Sequence, residues 1–413
     1  MHTGKTTGLP ELMRFLDGTP VESEEQWARR RREILGLFET AMYGQMPEAA
    51  REKVEYRIRP GDEKQIREME ITVRRKGKEA SFTVLVTLPE QPVPGTACFL
   101  EYCPFFWSGK RLISPNSKIA AGRGYAAIQY DPTAVASDDD HQQGAYYVLY
   151  PSGENGERQD GVLLAWAWGA SRILDALEAG AGHELGIDPG KCMVAGVSRY
   201  GKSAAVAGAY DERFRVTIPS CSGAGGVAVY RMDNHGKIYD LSSLEGPEAW
   251  ENESINEPFD NLKGGEGYWF CPNFTRTGSA EDLPVDQHML CALAAGKDRH
   301  LIIVTGIISE GWSNTEGQCL AYAASQPVWD LLGAGDQNNM IIHLDGHAIL
   351  PSDMEYILDY CDIHLFGKKR TEILSNLSDM KGNLFLVHNR DRLDPLFDLC
   401  CGKHRTDTGS GKV

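Results

Sequence analysis

The sequence predicts an α/β fold, a mostly parallel central sheet with helices on both faces in a three-layer sandwich. Two patterns predict it. Six short apolar runs, "ACFLEY", "YAAIQYD", "CMVAGV", "RVTIPS", "HLIIVTG" and "MIIHLD", are spread through the chain from residue 97 onward, and helix-like stretches separate them. Continuous apolar runs of this length read as strands buried on both faces, which occur when helices cover a parallel sheet. A length of 413 residues, 42% of them hydrophobic, supplies a core large enough for one domain of this kind.

From Ser23, the segment "SEEQWARRRREILGLFETAMYG" predicts a helix, with Ser23 and Gln26 at capping-box spacing. Trp27, Ile34, Leu35 and Phe38 share one face and Gly44 follows the end, while the arginine run 29–32 reads as a solvated face. Charged, alternating residues up to about 90, including "SFTVLVTLPE", predict hairpin strands, so residues 1–90 form a helix and hairpin extension of the domain. "VLLAWAWGASRILDALEA" predicts a buried helix between the second and third apolar runs. Residues 231–266 are polar and weakly periodic, and read as a substrate-loop insertion. The tail from about 369 to 413 carries no assignment. No repeat or linker divides the chain, so a single domain is expected.

A net charge of −16 argues against a nucleic-acid or anionic-membrane partner, because such binding depends on Lys and Arg neutralising phosphates. No apolar run reaches the roughly 20 residues of a membrane-spanning helix. The opening "MHTGKTTGLPELMRF" lacks the order of a secretory signal. The expectation is a cytoplasmic protein as the chain stands, or a secreted one if a leader has been removed. Ten cysteines include no Cys-x-x-Cys pair and no zinc-spaced cluster, which predicts free thiols and no metal; the adjacent Cys400 and Cys401 lie in a polar tail.

The stretch "MVAGVSRYGKSAAVAGAYDERF" places Ser198 between an apolar strand and an alanine-rich helix. This is the arrangement of a nucleophile elbow, whose turn lifts the hydroxyl above the sheet and aims the following N–H groups at a developing oxyanion. The spacing is Gly-x-Ser-x-x-Gly, one residue longer than the usual motif, and a plain helix cap is the competing reading. Partners decide between them. A base and an orienting acid should follow in the order Ser, acid, His. His347 lies in the loop after the last apolar run, whereas His343 falls on that run and reads as a core residue; His288 reads as structural. Glu310 is the first carboxylate after "HLIIVTG". Glu316 reads as helix surface, and Asp345 is too near His347 in sequence to turn back on it.

"GVSRYGK", "TIPSCSGAGG", "YWFCPNF", "LPVDQHML" and "GHAILP", in this order, resemble the glucuronoyl esterases, the fifteenth carbohydrate esterase family, as does "FLDGTPVESEEQWARRRREILGLFETAMYGQMP" their bacterial members. The resemblance reaches to about residue 368. It implies an α/β-hydrolase without metal or cofactor that cleaves the ester between 4-O-methyl-glucuronic acid on xylan and a lignin alcohol; a glucuronoxylan fragment or a smaller uronate ester is the expected substrate. By that resemblance Ser198 is the nucleophile, Arg199 serves the oxyanion, Lys202 and Glu266 bind sugar hydroxyls, and Trp312 flanks the sugar. An indole suits a sugar's apolar face.

The chain departs from the family at three places. Cys221 stands where many members carry the catalytic glutamate, and a thiol is a poor anionic partner for His at neutral pH; other members place the acid where Glu310 falls. "AAGKDRH" replaces the usual Ala-Pro-Arg, and no leader is visible although wall-degrading members are exported. Two further functions fit a similar frame: an acetyl-sugar esterase with the same triad, and a non-catalytic carbohydrate-binding relative. Sugar-facing Lys202, Glu266 and Trp312 favour the uronate ester over the first, and the intact set Ser198, Glu310 and His347 speaks against the second. The oligomeric state is not predicted.

Overall fold

The computed structural model describes residues 8–91, 93–107, 110–153, 160–231, 257–308, 311–367 and 385–387. Twelve strands are defined: β1 Lys53–Pro60, β2 Ile66–Arg75, β3 Lys78–Thr87, β4 Thr96–Tyr102, β5 Phe106–Trp107, β6 Lys110–Arg111, β7 Ala126–Tyr130, β8 Ile187–Val197, β9 Val216–Ser220, β10 His300–Ile308, β11 Asn338–Asp345 and β12 Phe385–Val387. Ten of them form one sheet in the order β1-β2-β3-β7-β4-β8-β9-β10-β11-β12, and β5 with β6 makes a small separate hairpin. From β7 to β12 every neighbouring pair is parallel, while β1, β2, β3 and β7 pair antiparallel. The charged alternating region is therefore an antiparallel wing of the main sheet.

Hydropathy accounts for this division. All seven residues of β4 are buried, as are all five of β7 and β9, because helices cover both faces of the parallel part. In β2 buried and half-buried residues alternate along much of the strand. β8 starts at Ile187, earlier than its apolar run, where it meets Thr96 before a register shift brings Cys98 opposite Cys192.

One face is closed by the helices Pro115–Gly122 and Pro351–Phe366, whose Ala120, Met354, Ile357 and Leu358 pack on Phe99, Met193, Ile218 and Ile341. The other is closed by Val162–Ala176, Arg199–Tyr210, Gln287–Leu293 and Thr315–Leu331. Val162–Ala176 is buried almost all round, as its apolar sequence requires. Its Arg172 is paired with Glu52 just ahead of β1, tying the wing to this layer.

The N-terminal helix is Glu24–Phe38, and its capping box joins Ser23 and Gln26 as expected. The arginine run needs correction. Arg30 is buried and donates to the carbonyls of Leu12 and Glu11, and Arg31 donates to those of Ala209 and Leu293 at two helix ends. Only Arg29 and Arg32 form the solvated face. The long planar side chains reach over the helix edge, Arg30 to the segment before the helix and Arg31 to carbonyls that two helix ends leave unpaired. Among the described residues no helix is long and apolar enough to cross a membrane, no disulfide joins two cysteines, and no cluster of metal-binding side chains occurs. Most of the 231–266 region, most of the 369–413 tail, and Cys400 and Cys401 lie outside the described residues.

Candidate active site

Ser198 joins the end of β8 to the helix Arg199–Tyr210 with φ 60° and ψ −129°, a backbone conformation that non-glycine residues rarely adopt. Its hydroxyl makes no capping bond to the helix, which removes the plain cap reading. The longer spacing also has a physical basis. A Cβ on Gly201 would stand 2.6 Å from the Ser220 carbonyl oxygen, so glycine is needed where the new helix crosses the end of β9. Strand, strained serine and helix together make the elbow, with the Arg199 N–H among the unpaired donors of the first helical turn.

The Arg199 guanidinium donates to Asp138 at 2.6 Å and lies 5.0 Å from the centre of the Trp269 ring. Asp138 also accepts from Trp269 Nε1 at 2.9 Å and Tyr268 Oη at 3.1 Å. Burial opposes the guanidinium's charge, but the bond to Asp138 and its negative charge outweigh it and hold the Arg199 pKa above its ordinary value. A cation is thereby fixed beside the elbow.

Lys202, one helical turn beyond Ser198, is buried. It donates to the carbonyls of Ser222 at 2.8 Å and Ala224 at 2.6 Å, and it is paired with Glu257. Three acceptors use all three ammonium protons. Burial pulls the Lys202 pKa down and pushes that of Glu257 up, and their mutual attraction opposes both shifts. The ammonium is the form that satisfies both carbonyls. Glu266 is half-buried and adds a further negative charge that acts on Lys202. The Glu257 N–H bonds the Trp312 carbonyl at 2.9 Å, and the Trp312 side chain is 43% exposed. Lys202, Glu257 and Trp312 are thus one connected unit, with the Lys202 ammonium turned toward the protein.

His347 is exposed, in the turn between β11 and the helix Pro351–Phe366. The turn is fastened on both sides of it. His343, buried on β11, bonds the Gly346 carbonyl through Nε2 at 2.8 Å and Asp353 through Nδ1 at 2.9 Å. Asp353 also accepts from the Leu350 N–H at 2.9 Å. Cys221, buried at the end of β9 with φ 44°, puts its sulfur 4.0 Å from the Gly346 oxygen. Glu310 lies outside the described residues, between β10 and the turn Gly311–Ser313.

The structure therefore brings Ser198, Arg199 and Lys202 together on the elbow and sets the His347 turn beside Cys221. Sequence reasoning missed Asp138, Glu257 and the His343–Asp353 pair. Asp138 stands in an acidic loop, "SDDDHQQ", with nothing local to mark it, and Glu257 sits in the polar insertion where Glu266 drew attention.

A parallel sheet flanked by helices, with a strained serine elbow at the carboxyl end of a central strand, defines an α/β-hydrolase. A family model for fungal glucuronyl esterases matches residues 71–333. The chain belongs to the glucuronoyl esterase family. The solved structure of a carbohydrate esterase family 15 glucuronoyl esterase from Caldicellulosiruptor kristjansonii is 37% identical, with a TM-score of 0.78, covering 90% of this chain and 94% of that one. A multidomain esterase from Ruminococcus flavefaciens is 38% identical over 94% of this chain, which spans 50% of that protein's length. A protein of Phanerochaete carnosa named 4-O-methyl-glucuronoyl methylesterase is 28% identical over 87% of this chain and 82% of its own.

Proposed function

We propose that this protein is a serine esterase that hydrolyses esters of glucuronic or 4-O-methyl-glucuronic acid through an acyl-enzyme. The observation that carries the reading is Ser198, strained at the elbow and free of any capping bond, with a pinned cation at the next residue. Family membership and the name of the Phanerochaete carnosa relative supply the substrate class.

His347 takes the Ser198 proton as the oxygen attacks the ester carbonyl, and later gives it to the leaving alcohol. The oxyanion develops beside the Arg199 N–H and guanidinium. Because Asp138 and Trp269 hold that cation in place beforehand, little reorganisation is needed when the charge appears. The acid role falls to Glu310, since Cys221 occupies the earlier acid position. Trp312 offers an indole face to the sugar, and Glu266 supplies an acceptor for its hydroxyls. The Lys202 ammonium acts by holding Glu257 and two carbonyls in place.

Hydrolysis of benzyl glucuronate, compared with a sugar acetate and a simple aryl acetate, tests the reading. The uronate ester should give the highest kcat/KM, and Ser198→Ala and His347→Ala should each lower its kcat by several orders of magnitude, on the order of 10⁴-fold or more. A preference for the sugar acetate would assign the carbohydrate to the other side of the ester. More than a tenth of wild-type activity in Ser198→Ala, as an order-of-magnitude limit, would remove the nucleophile assignment.

A further inference from the structure

Nucleophile and base come from different strands, and the geometry points to Ser220 as a positioning residue that sets the spacing between them. Ser220 is the last residue of β9 and is fully buried. Its backbone oxygen accepts the Ser198 N–H at 2.9 Å, while its hydroxyl donates to the Ala348 carbonyl at 3.2 Å. Cys221 Sγ, 3.7 Å from that hydroxyl, is the more distant acceptor. One residue therefore holds the amide of the elbow serine and the residue after His347.

Surrounding geometry restricts Ser220 to this place. Gly201 crosses its backbone so closely that no Cβ fits, and the Cys221 N–H bonds Val304 on β10 at 2.8 Å. The opposite side of the turn is held by His343, bonded to Gly346, and by Asp353, bonded to Leu350. With Gly346 held from β11 and Leu350 from the following helix, the Ser220–Ala348 bond, beside the longer Cys221 Sγ–Gly346 contact, refers the His347 turn to the nucleophile's own strand pair. Its loss should let the imidazole sit slightly away from the hydroxyl, and small misplacements of reacting groups are costly in rate.

This role rests on the reading of Ser198 and His347 as nucleophile and base, so the experiment separates the two. Ser220→Cys and Ser220→Ala keep nearly the same volume while weakening and then removing the donor. Turnover of benzyl glucuronate and covalent labelling by a fluorophosphonate are measured for both, with a thermal melt of each. Ser325→Ala is the control: it removes another fully buried hydroxyl that donates to a carbonyl, that of Tyr322, in the helix Thr315–Leu331.

Ser220→Ala should lose roughly ten- to a hundredfold in kcat and in labelling rate with KM changed by less than about threefold. Ser220→Cys should fall between, and Ser325→Ala should label at the wild-type rate. Wild-type labelling by Ser220→Ala overturns the proposal, as does a rate loss in Ser325→Ala that tracks its melting temperature equally. Should Ser198→Ala itself remain labelled, it is the nucleophile assignment that falls.

Discussion

Replacing Lys202 by Met tests how the buried ion pair beside the elbow supports the proposed sugar-binding unit. The substitution keeps the length of the side chain and removes the charge, leaving Glu257 buried without its partner and the Ser222 and Ala224 carbonyls without their donor. Breaking a buried pair from one side typically costs about 3–5 kcal/mol. Two carbonyls left unpaired would each add about 1–3 kcal/mol if no group moved to meet them. These costs overlap, because Glu257 escapes part of its own by taking up a proton. Lys202→Met should therefore be destabilised by about 3–5 kcal/mol in urea unfolding near neutral pH.

The pH dependence identifies the cause. Burial already raises the Glu257 pKa, and without Lys202 it rises further. A carboxyl raised in the folded state binds its proton more tightly there than in the unfolded chain, so its contribution is intact below the ordinary value of 4.5 and declines as pH rises through the folded value. Lys202→Met should thus lose stability on going from acid to neutral pH. The double variant Lys202→Met with Glu257→Gln should lose this slope and recover about 2 kcal/mol or more, a coupling that a double-mutant cycle measures directly. A single variant within about 1 kcal/mol of wild type, with no such slope, would refute a buried ion pair at this position.

Exchange of the acid candidates gives a second outcome: Glu310→Gln should lower kcat on benzyl glucuronate about a hundredfold or more, as loss of a triad acid does, while Cys221→Ser stays near wild type. The reverse result would transfer the acid role to the end of β9. A third concerns acid stability, far from the elbow. Burial, aided by the neighbouring His364 and Arg215, lowers His300 from 6.5 to about 3. The folded state then binds fewer protons, so stability is complete above 6.5 and is lost as pH falls from there toward 3, by about 1.4 kcal/mol for each unit. His300→Phe should flatten the unfolding free energy between pH 6.5 and 4.5 relative to wild type, and an unchanged slope would assign acid sensitivity elsewhere.

Much of this arrangement is legible before folding, for reasons that differ between residues. Apolar runs flanked by helix-like stretches announce a parallel sheet because such strands have no solvent face, and six of the sheet's strands follow those runs. Ser198 is legible because strand, serine and alanine-rich helix are contiguous. The sequence places His347 after the last run, and the structure finds it exposed in the turn that follows β11. Arg30 and Arg31 are misread because a local run of four arginines says nothing of the Leu12 and Glu11 carbonyls that Arg30 meets, nor of the helix ends far along the chain that Arg31 meets. Glu257 is hidden because a buried carboxylate looks like any other acid in a polar segment until its lysine is known.

Sequence alone settles what contiguous residues can express: the alternation of strands and helices, the capping box at Ser23 and the glycine-flanked elbow; Ser198, Glu310 and His347 it offers as candidates in chain order. Tertiary structure decides which charges near the elbow stay open to solvent and which are turned onto the protein. It turns the Lys202 ammonium onto Glu257 and two carbonyls, pins Arg199 to Asp138, and ties the His347 turn to Ser220, His343 and Asp353. The physical reason is range. Strand and helix periodicity arise from interactions a few residues apart, whereas the partner of a buried charge or an orphan carbonyl is fixed only when distant segments pack together and exclude the water that would otherwise serve.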